Sequence, residues 1–164
     1  MLRNGTVLFI RQEEALSAGD GKRFPIRKYY THQLVRVDIK TTFEKIVTGS
    51  KPYEDGLVGT KQILSMRSPT LSTDQKFLYF VTEKYVTASQ LVKVKVDTGI
   101  WTELFSAESF ELMSSDNGVH LFLIARSEIR NKGREIYYKL CDESGTVLKE
   151  FDSQESMLKY RNSY

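Results

Sequence analysis

The chain predicts an all-β fold of three successive antiparallel sheets, with little helix apart from a short C-terminal one. Three observations lead there. One pattern occurs three times along the 164 residues: a short apolar strand, a polar connection, a strand of alternating apolar and polar residues, a tight turn and a last strand. Each alternating strand runs into a turn that carries an acid beside a small or flexible residue. Helical signals are confined to two short segments.

The first copy runs from Thr6–Ile10 through Gln33–Ile39 to Phe43–Val47, with the turn Asp38–Thr41 between the last two strands. The second has strands Phe77–Val81, Gln90–Val96 and Trp101–Phe105 and the turn Asp97-Thr98-Gly99. The third has Val119–Ile124, Glu135–Leu140 and Val147–Phe151 and the turn Asp142-Glu143-Ser144-Gly145. Glycine takes the positive φ of a tight hairpin and Asp bonds the local backbone, so the second and third strands of each copy are antiparallel neighbours. Gln62–Met66 and Ser109–Met113 precede the second and third copies and make four strands per unit. Only Met1–Gly5 precede the first, whose extra strand would have to come from Leu57-Val58 or from the C-terminus.

Period-two alternation turns Leu8, Ile10, Val35, Val37, Leu78, Phe80, Val92, Val94, Leu121, Leu123, Ile136 and Tyr138 inward. Glu13-Glu14-Ala15-Leu16 has the length of one helical turn. Asp152-Ser153-Gln154-Glu155 reads as an N-cap with a Glu three residues on, opening a short helix packed by Met157 and Leu158. The expected organisation is one domain with repeats at about 1–50, 61–107 and 108–152 and a tail at 153–164. The loop Ser50–Thr60 is not a boundary, because one sheet alone cannot bury both its faces.

Composition narrows the function. Apolar residues make up 40% and charged residues 27%, which supplies a core and excludes disorder over most of the chain. A balance of 24 Lys and Arg against 21 Asp and Glu, +3 overall, is too mild for a dedicated nucleic-acid binder. Cys141, the only cysteine, excludes an internal disulfide and a multi-cysteine zinc site and fits a reducing compartment. No apolar run approaches the roughly 18 to 20 residues of a membrane span, and Thr6–Ile10 is too short for a secretory signal. The chain is therefore read as cytoplasmic and not membrane-bound. A Gly-rich phosphate loop, a paired-His metal spacing and a Gly-x-Ser-x-Gly elbow are all missing, so neither cofactor nor metal is expected.

Within the second copy, Ser72-Thr73-Asp74-Gln75-Lys76-Phe77-Leu78-Tyr79-Phe80 followed by Gln90-Leu91-Val92-Lys93-Val94-Lys95-Val96-Asp97-Thr98-Gly99 resembles a blade of the TolB-like β-propellers. Such blades read Ser-Pro-Asp-Gly-Lys, an aromatic strand, then a Leu-x-x-Val-Asp strand ending in Thr-Gly. Here Thr73 stands in the place of Pro and Gln75 in the place of Gly. Leu34–Thr41 and Tyr137–Gly145 echo the pattern. The resemblance implies propeller-like sheets and a protein-binding or scaffold role, and it carries no catalytic motif onto this chain. Closed propellers have 4 to 8 blades, so three units imply an open or partial propeller, or the association of two chains.

Two loops concentrate the chain's cations and tyrosines. Arg11–His32 carries Lys22, Arg23, Arg27 and Lys28 among Phe24, Tyr29 and Tyr30; Arg126–Arg134 carries Arg126, Arg130, Lys132 and Arg134. Both lie between the first and second strands of a copy and should emerge on one side of the stack. Arg and Tyr are favoured in protein interfaces, and cations between aromatics also grip single-stranded nucleic acid. The expected function is a non-catalytic protein-binding module, in its most specific form a bacterial immunity protein that neutralises a toxin domain. Two other readings stand beside it: a hydrolase or lyase using His120 with a neighbouring carboxylate, and single-stranded RNA binding. His120 and His32 are the only histidines. The acidic pairs Glu13-Glu14, Glu54-Asp55 and Asp142-Glu143 sit in polar stretches and read as solvated, Cys141 as structural and Trp101 as core.

Overall fold

A computed structural model describes residues 5–16, 28–42, 44–49, 65–85, 88–114, 119–130 and 133–163. In the first sheet β1 (Thr6–Leu16), β2 (Lys28–Asp38) and β3 (Glu44–Gly49) pair in that order. The second sheet has the order β4 (Arg67–Leu71), β5 (Phe77–Tyr85), β6 (Ala88–Lys95) and β7 (Trp101–Ser106). The third has β8 (Ser109–Ser114), β9 (His120–Arg130), β10 (Gly133–Asp142) and β11 (Val147–Phe151), followed by α1 (Gln154–Ser163). Neighbouring strands are antiparallel throughout.

The alternation of β5 and β6 places the second sheet in the middle. Leu78 and Phe80, with Val92, Val94 and Val96, form one core with Leu34 of β2, joined by Leu8, Ile10, Val47 and Trp101. Their neighbours Tyr79, Val81 and Leu91 point the other way and meet Phe122, Ile124 and Cys141 of the third sheet. A third cluster, Met113, Leu123, Leu140 and Met157, forms where α1 lies on the far face of that sheet. Each fully buried Leu or Phe side chain contributes roughly 1.5–3 kcal/mol, so two apolar layers hold the three sheets face to face and a third holds α1 on the last of them. α1 opens at Ser153, whose Oγ accepts the Ser156 N–H at 3.2 Å while the Ser156 hydroxyl faces the Ser153 N–H at 3.3 Å. That reciprocal pair is a capping box one residue later than expected, with Ser156 in the role given to Glu155.

The tight turns follow the expected chemistry. Asp38 Oδ1 accepts the N–H groups of Lys40 (2.8 Å) and Thr41 (3.1 Å), and Asp142 Oδ1 those of Ser144 (2.9 Å) and Thr146 (3.0 Å). Before β5, Ser72 donates to Asp74 at 2.7 Å and accepts the Phe77 N–H at 3.0 Å. Gln75, where TolB-like blades have Gly, adopts φ +62°. Gly99 (φ +76°) and Gly145 (φ +83°) close the turns before β7 and β11. A Cβ on Gly99 would overlap the Val47 carbonyl of the first sheet; one on Gly145 would press on Phe105 of the second. In both places glycine lets a turn seat against the preceding sheet.

Some expectations are corrected. The strand paired with β5 on this side is Arg67–Leu71; of the expected strand Gln62–Met66, residues 62–64 lie outside the described residues and Met66 is core just ahead of β4. Residues 13–16 continue β1 instead of forming a helical turn. Ile136 is 55% exposed, because its part of β10 extends beyond the neighbouring sheet, while Leu34 rather than Val37 reaches the core from β2. Leu57-Val58 lies outside the described residues. Two substitutions test the turns by urea denaturation. Gly99→Ala should cost on the order of 3 kcal/mol, since left-handed strain adds to the overlap with Val47. Gln75→Gly should add about 0.5–1 kcal/mol, relief of strain outweighing glycine's extra chain entropy.

Candidate functional site

The described parts of the two segments expected as basic loops are strand. β1 and β2 stay paired out to Leu16↔Lys28, and β9 and β10 out to Arg130↔Gly133. Lys28, Tyr29 and Tyr30 are thus β2 residues, opposite Leu16, Ala15 and Glu14; Arg126 and Arg130 lie on β9 and Arg134 on β10. Lys22, Arg23, Arg27 and Lys132 fall outside the described residues. Polarity hid these strands, because a hairpin extending past its core needs no apolar face, its inward backbone groups pairing across the hairpin and its outward ones facing solvent. Arg126 stands opposite Tyr137 and Arg134 opposite Ile129, so the two arginines occupy opposite faces of the hairpin. Each has an acidic partner: Arg126 lies 3.6 Å from Glu128, and Arg134 3.0 Å from Glu108, which also accepts the Ser127 hydroxyl at 2.8 Å.

At the other end of the sheets, where the Asp turns lie, a polar cluster joins the second and third sheets. Tyr79 of β5, Lys93 of β6, His120 at the start of β9 and Glu143 in the turn after β10 converge there. Glu143 Oε1 accepts the Tyr79 hydroxyl at 2.6 Å and lies 2.9 Å from His120 Nδ1; its Oε2 accepts Lys93 Nζ at 2.7 Å. The Tyr79 oxygen is also 2.8 Å from His120 Nδ1. Lys93 sits 3.9 Å above the Phe77 ring, and Phe77 and Tyr79 both meet the imidazole edge-on. Tyr79 is wholly buried, whereas a third of the Glu143 side chain (34%) reaches solvent.

The electrostatics follow. Burial pushes the Glu143 carboxyl up, but the donors Lys93, Tyr79 and His120 outweigh it and hold the group below its ordinary 4.5. Burial, then the adjacent carboxylate, drives the Tyr79 phenol far above 10.0, so it is a neutral donor. An ionised carboxylate only accepts, so His120 carries a proton on Nδ1 and, when neutral, keeps its lone pair on Nε2. His32 lies on a different sheet, in β2, and does not join it. Cys141 is buried, and desolvation raises its thiol, as suits a structural residue. Of this cluster the sequence singled out His120 as a candidate and read Glu143 as a solvated turn acid, whereas the stacking of the third turn on the second sheet partly buries Glu143 against Tyr79, Lys93 and His120. The one further signal in the sequence was length: the third turn, Asp142-Glu143-Ser144-Gly145, has one residue more than Asp97-Thr98-Gly99.

No protein-family model matches the chain, and no curated protein matches it. Among solved structures it is similar to the β-propeller domain of the Trilobed protease from Pyrococcus furiosus, described as having an open velcro topology. The TM-score is 0.51 at 16% identity, over 92% of this chain and 40% of that one. The three sheets are therefore propeller-like, and the chain spans less than half the length of that relative. No helix among the described residues is long and apolar enough to cross a membrane.

Because the folded Glu143 carboxyl is depressed, it stabilises the fold above its ordinary value of 4.5 and that contribution disappears as pH falls through the lower folded value. Glu143→Gln should lower stability at pH 7 by about 1–2 kcal/mol. It should also flatten the loss of stability below pH 4.5, relative to the unmodified chain. Thermal unfolding of both proteins across that range checks the sign.

Proposed function

We propose that this chain is a non-catalytic protein-binding module, with the β1–β2 and β9–β10 hairpins as its recognition arms. The observation that carries the reading is their equivalence. Both join the first and second strands of a repeated unit, both stay paired out to their last described residues, and both bear Arg, Lys and Tyr. Paired strands are stiff, so such arms lose little entropy on docking, which favours their use as recognition elements. Arg126 and Arg134, already oriented by Glu128 and Glu108, retain further donors for an acidic partner surface. Toxin neutralisation by an immunity protein is the specific form we favour for such a module, with a toxin domain as partner.

The hydrolase reading also has an observation in its favour, the Nδ1 proton that Glu143 imposes on His120, which leaves Nε2 as a base. Against it, the carboxylate is already engaged by Tyr79 and Lys93 as well, as a structural tie between sheets would be. His120→Ala separates the two readings: an enzyme loses activity with its fold retained, while a binding module keeps its affinity.

For the binding reading, the full chain is used to isolate a protein partner, and Tyr29→Ala, Arg126→Ala and Arg134→Ala are measured against it by calorimetry. At least one of them should cost on the order of 1–3 kcal/mol of binding with little change in melting temperature. Unchanged affinity across all three would move the interface off the hairpins. Protection of cells that co-express the partner would support the toxin-neutralising form.

A further inference from the structure

The first sheet repeats one position of the Glu143 cluster, its cation, with Leu8 where the second sheet has Tyr79. In the second sheet Lys93 stands between Tyr79 and Thr102, on the face turned to the third sheet. In the first sheet Arg36 stands between Leu8 and Lys45 at the same register, on the face turned to the second. Arg36 is thus the counterpart of Lys93. Lys93 is neutralised by Glu143, which the turn of the following sheet delivers. For Arg36 the following turn is Asp97-Thr98-Gly99, one residue shorter, and its acid lies 3.5 Å from Lys95 instead.

Beside Arg36 there is a cavity of about 400 Å³, lined among the described residues by Thr6, Arg36, Asp38, Thr41 and Lys45, all of the first sheet and its turn. Neither Arg36 nor Lys45 forms an ion pair with a described residue. Asp38 is the one acid in the lining, and its Oδ1 is committed to the N–H groups of its own turn. Two cations against one carboxylate leave the lining at +1, in a recess of the size that accepts a side chain or small ligand. Arg36 offers a planar fork suited to a carboxylate.

We infer that this cavity binds an acidic side chain supplied from outside the chain, which pairs with Arg36 as Glu143 pairs with Lys93. It lies at the turn end of the first sheet, away from the hairpin arms, and is independent of whether those arms bind a partner. The carboxylate docks on Arg36 with Lys45 as second cation.

The test is an NMR titration of the full chain with N-acetylglutamate amide and, separately, inorganic phosphate, at ionic strength held constant with sodium chloride. The expected result is a saturable shift of the Arg36 Nε–H and the Thr41 and Lys45 amides with the glutamate probe. Arg36→Gln should weaken it about ten-fold, while Glu143→Gln leaves it unchanged. Should Arg36→Gln fail to fold, Lys45→Gln, at an exposed position, decides by the same loss of affinity. No saturable shift beyond that of sodium chloride would overturn the inference, as would equal affinity in the folded variants. Tighter binding of phosphate than of the glutamate probe would overturn the assignment to a carboxylate.

Discussion

The rest of the structure depends on the second sheet having two apolar faces. Alternate residues of β5 and β6 go to opposite sides, so Leu78, Phe80, Val92 and Val94 can be buried only by one sheet and Tyr79, Val81 and Leu91 only by another. A sheet of this kind is unstable alone, and its neighbours exist to cover it. The third sheet inherits the same problem on its far side, where Leu123 and Leu140 would face water. α1 resolves it with Met157 and Tyr160, in the way a terminal cap closes a stack of repeats. The helix is thus a consequence of the stacking and not an appendage to it.

Stacking sheets face to face also forces polar groups together where strands end and turns begin. The two junctions handle this differently. Between the second and third sheets, Lys93 is desolvated against Phe77, and one carboxylate answers it together with Tyr79 and His120. A partly buried cation without such an answer would be costly. Between the first and second sheets, Arg36 occupies the same register with a cavity beside it. Leu8 stands there in the place of Tyr79, and the turn that follows, Asp97-Thr98-Gly99, is one residue shorter and carries no glutamate.

The hairpins obey a looser constraint. At the outer end of β10, residues 133–136 are exposed, so their side chains are free of the core's demands. That freedom accounts for the density of charge there, and also for the ion pairs Arg126–Glu128 and Arg134–Glu108 that arrange it. Arg126 and Arg134 point to opposite faces, so a partner engaging both would have to grip the hairpin from two sides.

The sequence by itself determined the number of sheets, most strand positions and the Asp and Gly turns, because alternation and turn chemistry are local and each strand carries its own period. It pointed to the C-terminal helix as well, displaced by one residue at its cap. Arg67–Leu71 was missed because its polar residues give no apolar alternation. The described parts of the basic segments read as loops for the same reason. What only the tertiary structure decided is which residues meet. Tyr79, Lys93, His120 and Glu143 come from four separate elements, and nothing local to any of them specifies the others. Their meeting is set by the face each strand turns to its neighbour and by the turn that reaches across, which are properties of sheets already stacked.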